Sequence, residues 1–162
     1  PPNVLPEHRG KDIAELLLTG EIDAAVGDIP IGSSNVQPLI PDAANAEFEY
    51  FRRTGVYPIN HGLVIKNSVL ETEPWIAEEI FCTFKAAKEV YLAHLASGKD
   101  LTTYDEMALA LQHIVGADPF PYGISPNFKA LETITQLAMD QRITQRKMSV
   151  EELFAPGTLK LE

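Results

Sequence analysis

The 162-residue sequence predicts an α/β fold that is rich in helix. In six segments, apolar residues recur at three- and four-residue steps next to capping residues, which is typical of amphipathic helices. Two shorter runs, 22–27 and 56–66, are apolar without that period, which favours strands covered on both faces. The predicted helices cover residues 12–19, 42–54, 74–96, 103–115, about 125–138, and a short terminal stretch from 149 that ends before 156.

The helix ends carry the clearest local signals. Gly20 and Gly55 follow helical patterns at the position where a left-handed residue commonly ends a helix. The spacing of Thr103 and Glu106 predicts a capping box at the start of a helix. Cys82 is the one cysteine of the sequence and falls within a helical pattern, so we expect a buried, inert thiol.

The predicted strands are too few for the predicted helices. Two or three strands do not form a stable sheet core, yet the run around Val64 has the composition of a strand buried on both faces. Either the protein is all-helical and the two apolar runs are misread, or the remaining strands belong to sequence outside this chain. The second interpretation is favoured here.

Composition excludes several kinds of function. The formal net charge is −10, which argues against a nucleic-acid partner, because phosphate binding needs clustered Lys and Arg. No apolar run approaches the roughly 18 to 20 residues of a membrane span, so we expect no membrane insertion. The sequence shows neither metal-ligand spacing nor a phosphate-binding loop. It therefore indicates no metal and no cofactor.

Two stretches carry a family resemblance. Residues 16–27, LLLTGEIDAAVG, resemble the L-x-x-G-E-I-D-A-A-I-G segment of type II periplasmic-binding-protein folds. Residues 50–61, YFRRTGVYPINH, resemble the Y-(Y/F)-R-R-T-G-(I/V)-(F/Y)-P-I-x-H stretch of the 4,5-dihydroxyphthalate decarboxylase family. Further similar pieces follow in the same order at 74–77, 121–124 and 149–156.

This resemblance implies the C-terminal half of a type II periplasmic-binding-protein-like α/β fold. Residues 1–41 would end one lobe, 42–60 would cross between lobes, and 61–162 would complete the other lobe. Strand edges and apolar surface would then be covered by a missing N-terminal half or by a second copy of the chain.

The implied activity is a cytoplasmic carboxy-lyase that converts 4,5-dihydroxyphthalate, or a related aromatic carboxylate, to protocatechuate and CO2. The alternative is a periplasmic solute-binding protein of an ABC importer for an aromatic or sulfonate-like anion. Both share the fold, so only the site can separate them.

Decarboxylation of an aromatic acid needs a grip on the carboxylate and a proton donor for the ring carbon. His61 is the candidate acid/base, since the pKa of histidine lies near working pH; the alternative is a core histidine. Arg52 and Arg53 are candidates for the substrate carboxylates, since the guanidinium is bidentate; the alternative is helix C-terminal charge that complements the dipole.

Four further residues are candidates for the substrate hydroxyls. Asn60, Tyr57 and Tyr122 could bond them, with packing or turn formation as the alternative. Asp28 follows an apolar run at the position where open α/β sheets place ligand loops, and it could accept a phenolic proton or cap a turn. The loop that begins at Asp28 lacks the Arg usual in the family, and Asn60 replaces a usually apolar residue.

Overall fold

The computed structural model describes residues 10–27 and 29–162. Over these residues the chain forms α-helices and short 3₁₀ turns but no β-strand. The helices are α1 Ile13–Thr19, α2 Ala43–Thr54, α3 Asn67–Thr72, α4 Ile76–Ser97, α5 Thr103–Val115 and α6 Ile124–Asp140, and the 3₁₀ turns are Glu151–Leu153 and Pro156–Thr158. Within the described ranges, no helix combines the length and apolar character needed to cross a bilayer.

The chain divides into two compact units, Pro1–Glu49 and Tyr50–Glu162. The boundary falls inside α2 and inside the predicted crossing 42–60. The assignment of the two sides to separate lobes stays a prediction.

In the first unit, α1 agrees with the sequence prediction. Asp12 takes the N-cap position and Leu16 is buried. Gly20 ends the helix in the left-handed region at φ 74°, where glycine avoids the Cβ penalty. The strand predicted for 22–27 is wrong, because no ladder forms there and Val26 is fully exposed.

The second unit is built on α4, α5 and α6. Its core contains Ile124, Leu131 and Val150, with Leu159 packed against them. On α4, Leu95 is only 2% exposed, and the same helix contacts the turn Pro156–Thr158.

A close approach of backbone fixes the entry to α6. Gly123 is the N-cap at φ 91°, and a Cβ there would collide with the Leu161 carbonyl oxygen. The helix begins at Ile124, close to the start predicted at about residue 125.

A polar network joins α4 to α5. The capping box uses Thr102 and Asp105, one residue earlier than the predicted Thr103 and Glu106. Asp105 accepts bonds from the Thr102 hydroxyl at 2.6 Å and the Thr102 amide at 2.8 Å. Tyr91 donates to the other oxygen at 2.7 Å. These bonds, those from Thr102 first, lower the pKa of Asp105 to about 2.

The strand predicted for 56–66 is also wrong. These residues have no regular secondary structure, and a strand persists only when another strand pairs with it. Leu63 is 58% exposed and Val64 is 91% exposed. The described residues therefore leave the most apolar part of this segment uncovered.

Three smaller differences concern the helices. The sequence prediction missed α3, and α4 begins at Ile76, two residues after the expected Pro74. Cys82 is exposed rather than buried, because it lies off the helix face that carries Ala77 and Leu95, the buried residues of α4. Phe84 lies on that face but is 51% exposed, so the described residues cover α4 over only part of its length.

Candidate functional site

A cavity of about 220 Å³ lies within the second unit. It is formed by the end of α2 and the residues after it, by the loop between α5 and α6, and by the first turns of α6. Its lining combines aromatic, small, polar and charged residues. Those that can contact a ligand or shape the cavity include Phe51, Gly55, Tyr57, Asp118, Asn127 and Lys129.

The end of α2 fixes the aromatic wall of the cavity. The Gly55 amide donates to the Phe51 carbonyl at 2.6 Å, and Gly55 has φ 64°. The Thr54 hydroxyl donates to the Tyr50 carbonyl at 2.7 Å and accepts from the Val56 amide at 3.1 Å. This sharp turn brings the Tyr57 ring edge-on to Phe51, with centroids 6.1 Å apart.

Asp118, which lines the cavity, is held in place by Lys88 of α4. Its ammonium lies 2.6 Å from Asp118 Oδ2 and donates to the Phe120 carbonyl at 3.1 Å. It also lies 4.3 Å from the centroid of the Tyr122 ring, a cation–π distance. With only 10% of its side chain exposed, Lys88 ties the loop between α5 and α6 to α4.

Asn127 orders the same loop from α6. Its amide nitrogen donates to the Pro121 carbonyl at 2.7 Å and to the Gly123 carbonyl at 2.9 Å. Both amide hydrogens are thus used within the protein, and the side-chain oxygen keeps its acceptor capacity.

The structure gathers only part of the predicted site at this cavity. Tyr57 lines it. Tyr122 lies next to a lining residue, but its ring contacts Lys88 and Phe81. Arg53 places its guanidinium 5.5 Å from the Tyr50 ring centroid.

The other predicted residues stand apart from the cavity lining. Arg52, Asn60 and His61 are exposed on the segment that contains the end of α2 and the residues after it. His61 is therefore accessible to a substrate and is not a core histidine in this structure. Asp28 lies outside the described residues.

Sequence reasoning missed three residues of this site. Asp118, Asn127 and Lys129 reach the cavity from elements that are far from α2 in sequence. No local sequence motif therefore predicts that they line it. The available signal was the collinear P-Y-G-I piece at 121–124, which precedes Asn127. Across residues 10–27 and 29–162, no group of three or more His, Cys, Asp or Glu side chains could hold a metal ion.

Comparison with known proteins gives one informative relationship. The chain is 26% identical over 160 residues to the 4,5-dihydroxyphthalate decarboxylase of Comamonas testosteroni. The match covers 93% of this chain and 48% of that protein, so the chain spans about half the length of its relative. No family model matches the chain. The similarity indicates a distant relationship to a decarboxylase.

Proposed function

We propose that this chain forms part of a carboxy-lyase that acts on 4,5-dihydroxyphthalate or a related aromatic acid. The observation that carries the proposal is the similarity to a decarboxylase along nearly the whole chain. The residues at and after the end of α2 support it, since Arg52, Arg53 and His61 are exposed and Tyr57 of the same segment lines the cavity.

The proposed reaction breaks the bond between a ring carbon and one carboxylate. The electron pair of that bond remains on the ring carbon, CO2 leaves, and a proton restores the aromatic C–H. With 4,5-dihydroxyphthalate as substrate, loss of one carboxylate gives protocatechuate. The atoms and electrons balance without an oxidant or a reductant.

His61 is the proposed proton donor and Arg52 and Arg53 the proposed carboxylate ligands. An imidazolium can deliver a proton near neutral pH, and guanidinium groups hold carboxylates in bidentate geometry. Consecutive helical residues point about 100° apart, so we expect only one of the two arginines to contact the substrate. Tyr57, Asn60, Tyr122 and Asp28 remain proposed partners for the catechol hydroxyls.

The proposed fold of the complete protein is a type II periplasmic-binding-protein-like α/β fold. The exposure of Leu63 and Val64 supports the proposal that further sequence, or a second copy of this chain, pairs with residues 56–66. Leaving such side chains in water costs roughly 1.5 to 3 kcal/mol for each large apolar residue. An α/β sheet completed from outside the chain would remove that cost.

The role of His61 can be tested by steady-state kinetics on the gene product that carries these residues. His61→Ala should lower kcat by about 100-fold or more, because general acid catalysis contributes at least that much. His113→Ala is the matched control, since His113 is also exposed and lies outside the proposed site. Loss within about threefold for His61→Ala would remove it as proton donor, while saturable binding with no turnover of the unmodified protein would favour the solute-binding alternative.

A further inference from the structure

Lys129 brings a positive charge to the cavity, and residues 10–27 and 29–162 supply no counterion for it. Lys129 lines the cavity from α6, and no acidic side chain of the described residues lies within ion-pair distance of its ammonium. The sequence has 23 acidic against 13 basic residues. Asp118 and Lys129 are the charged residues of the cavity lining, and of these two only Asp118 has an oppositely charged partner among the described residues.

The nearest carboxylate is already occupied. Asp118 lines the same cavity, but Lys88 lies 2.6 Å from one of its oxygens and the Phe120 amide donates to the other at 2.9 Å. Its charge is therefore compensated by Lys88. The Lys129 ammonium therefore gives the cavity a positive electrostatic potential, which favours the binding of an anion.

Gly55 leaves room for this ammonium. A Cβ at Gly55 would lie 3.1 Å from Lys129 Nζ and 3.6 Å from Lys129 Cδ. The lysine side chain thus lies against the backbone at the end of α2, and Phe51 lines the same cavity. Glycine at this position both permits φ 64° and leaves the ammonium accessible at the rim.

The size and walls of the cavity limit the anion that fits. Its volume of about 220 Å³ is below the roughly 300 to 1,000 Å³ of sites for drug-sized ligands. The Phe51 and Tyr57 rings provide an edge-to-face aromatic wall, against which another ring can pack favourably. Asn127 adds an acceptor oxygen suited to a hydroxyl group.

We propose that this cavity binds a single-ring aromatic carboxylate, with the Lys129 ammonium paired to the carboxylate and the ring against Phe51 and Tyr57. The inference deepens the proposed function and rests on it only in the choice of an aromatic acid as ligand. It assigns the carboxylate contact to α6, in addition to the arginines of α2. Lys129 would then contribute to specificity for acids over neutral phenols.

The test is a titration of the 162-residue chain with benzoate, followed through the amide NMR signals of Gly55 and Asn127. We expect saturable shifts at both amides. Benzamide, which has the same shape without the charge, should bind more weakly, and cyclohexanecarboxylate should bind more weakly because it lacks the ring.

Charge variants separate a specific contact from general attraction. Lys129→Gln should weaken benzoate binding about tenfold, equivalent to about 1.4 kcal/mol, and Lys129→Arg should retain affinity within about threefold. Lys160→Gln is the matched control, since it makes the same charge change at another exposed lysine. Equal effects of Lys129→Gln and Lys160→Gln, or an absence of saturable shifts at Gly55, would overturn the inference.

Failure of this inference is distinguishable from failure of the proposed function. Decarboxylation by the gene product without benzoate binding at this cavity would overturn the cavity assignment and leave the lyase intact. Benzoate binding lost in Lys129→Gln, with no decarboxylation of 4,5-dihydroxyphthalate, would support the cavity assignment and overturn the lyase.

Discussion

The burial of Leu95 gives a quantitative test of the second unit. Leu95 is 2% exposed near the end of α4, whereas Val90 on the same helix is 72% exposed. Substitution of each by alanine removes apolar side-chain carbons from two very different environments. The helix and the replacement residue are the same, and the side chains differ by one carbon, so most of the difference between the variants reflects burial.

The expected magnitude follows from the atoms removed. Leu95→Ala removes about three methylene equivalents at about 0.8 kcal/mol each, and the cavity left behind adds to the loss. The free energy of unfolding should therefore fall by about 3 kcal/mol. Val90→Ala should change it by less than about 0.5 kcal/mol, because exposed substitutions remove little buried surface.

Urea titration followed by far-ultraviolet circular dichroism measures both values, since the described chain is mainly helical. Leu95→Met provides a further control, because a substitution that conserves volume typically costs less than about 1.5 kcal/mol. A cost below about 1 kcal/mol for Leu95→Ala, or equal costs for Leu95→Ala and Val90→Ala, would contradict the packing described for α4.

Two further perturbations address the polar contacts. Thr102→Ala removes the N-cap oxygen of α5 and should lower the free energy of unfolding by about 1 kcal/mol, measured in the same titration with Thr103→Ala as control. Acid should also destabilise the protein. Hydrogen bonds from Thr102, then Tyr91, depress the pKa of Asp105 to about 2 from 3.8, and the Arg146 guanidinium holds that of Glu152 at about 2 rather than 4.5. Depressed carboxyl pKa values stabilise the fold above the unfolded-state values, so the melting temperature should fall as pH drops from about 4.5 towards about 2, and Glu152→Gln should make that fall shallower.

Specific results would contradict each of these predictions. Equal stability of Thr102→Ala and Thr103→Ala would place the cap of α5 elsewhere. A melting temperature that is constant over the acid range would remove the link between these carboxylates and folding. High salt should weaken the contribution of the Arg146–Glu152 ion pair to stability, because the Glu152 side chain is 41% exposed and salt screens exposed charges.

Helices could be predicted from the sequence because their signals are local. The stop at Gly20 and the pattern of residues 43–54 lie within the elements that they define. The sequence alone does not fix the register of the α5 cap, since the adjacent threonines at 102 and 103 each precede an acidic residue by three positions. The shorter Asp105 side chain forms the box in the structure, and Tyr91 from α4 adds a tertiary bond that no local pattern contains.

Neither the absence of strands from the described residues nor the residues of the cavity could be predicted from local sequence patterns. Val64 has strand character, but pairing depends on a partner that the described residues do not supply. The site shows the same limit. Tyr57 could be selected from the motif around it, whereas Lys129 and Asn127 reach the cavity through the packing of α6 beside the end of α2, a long-range arrangement with no local signature.

The proposed function requires that the protein carrying this chain release CO2 from an aromatic acid. The most direct measurement incubates the gene product with 4,5-dihydroxyphthalate labelled with ¹³C in its carboxylates and follows labelled CO2 and protocatechuate by mass spectrometry. We expect both products in equal amounts, with turnover well above the rate without protein. Recovery of unchanged substrate at the background rate would contradict it.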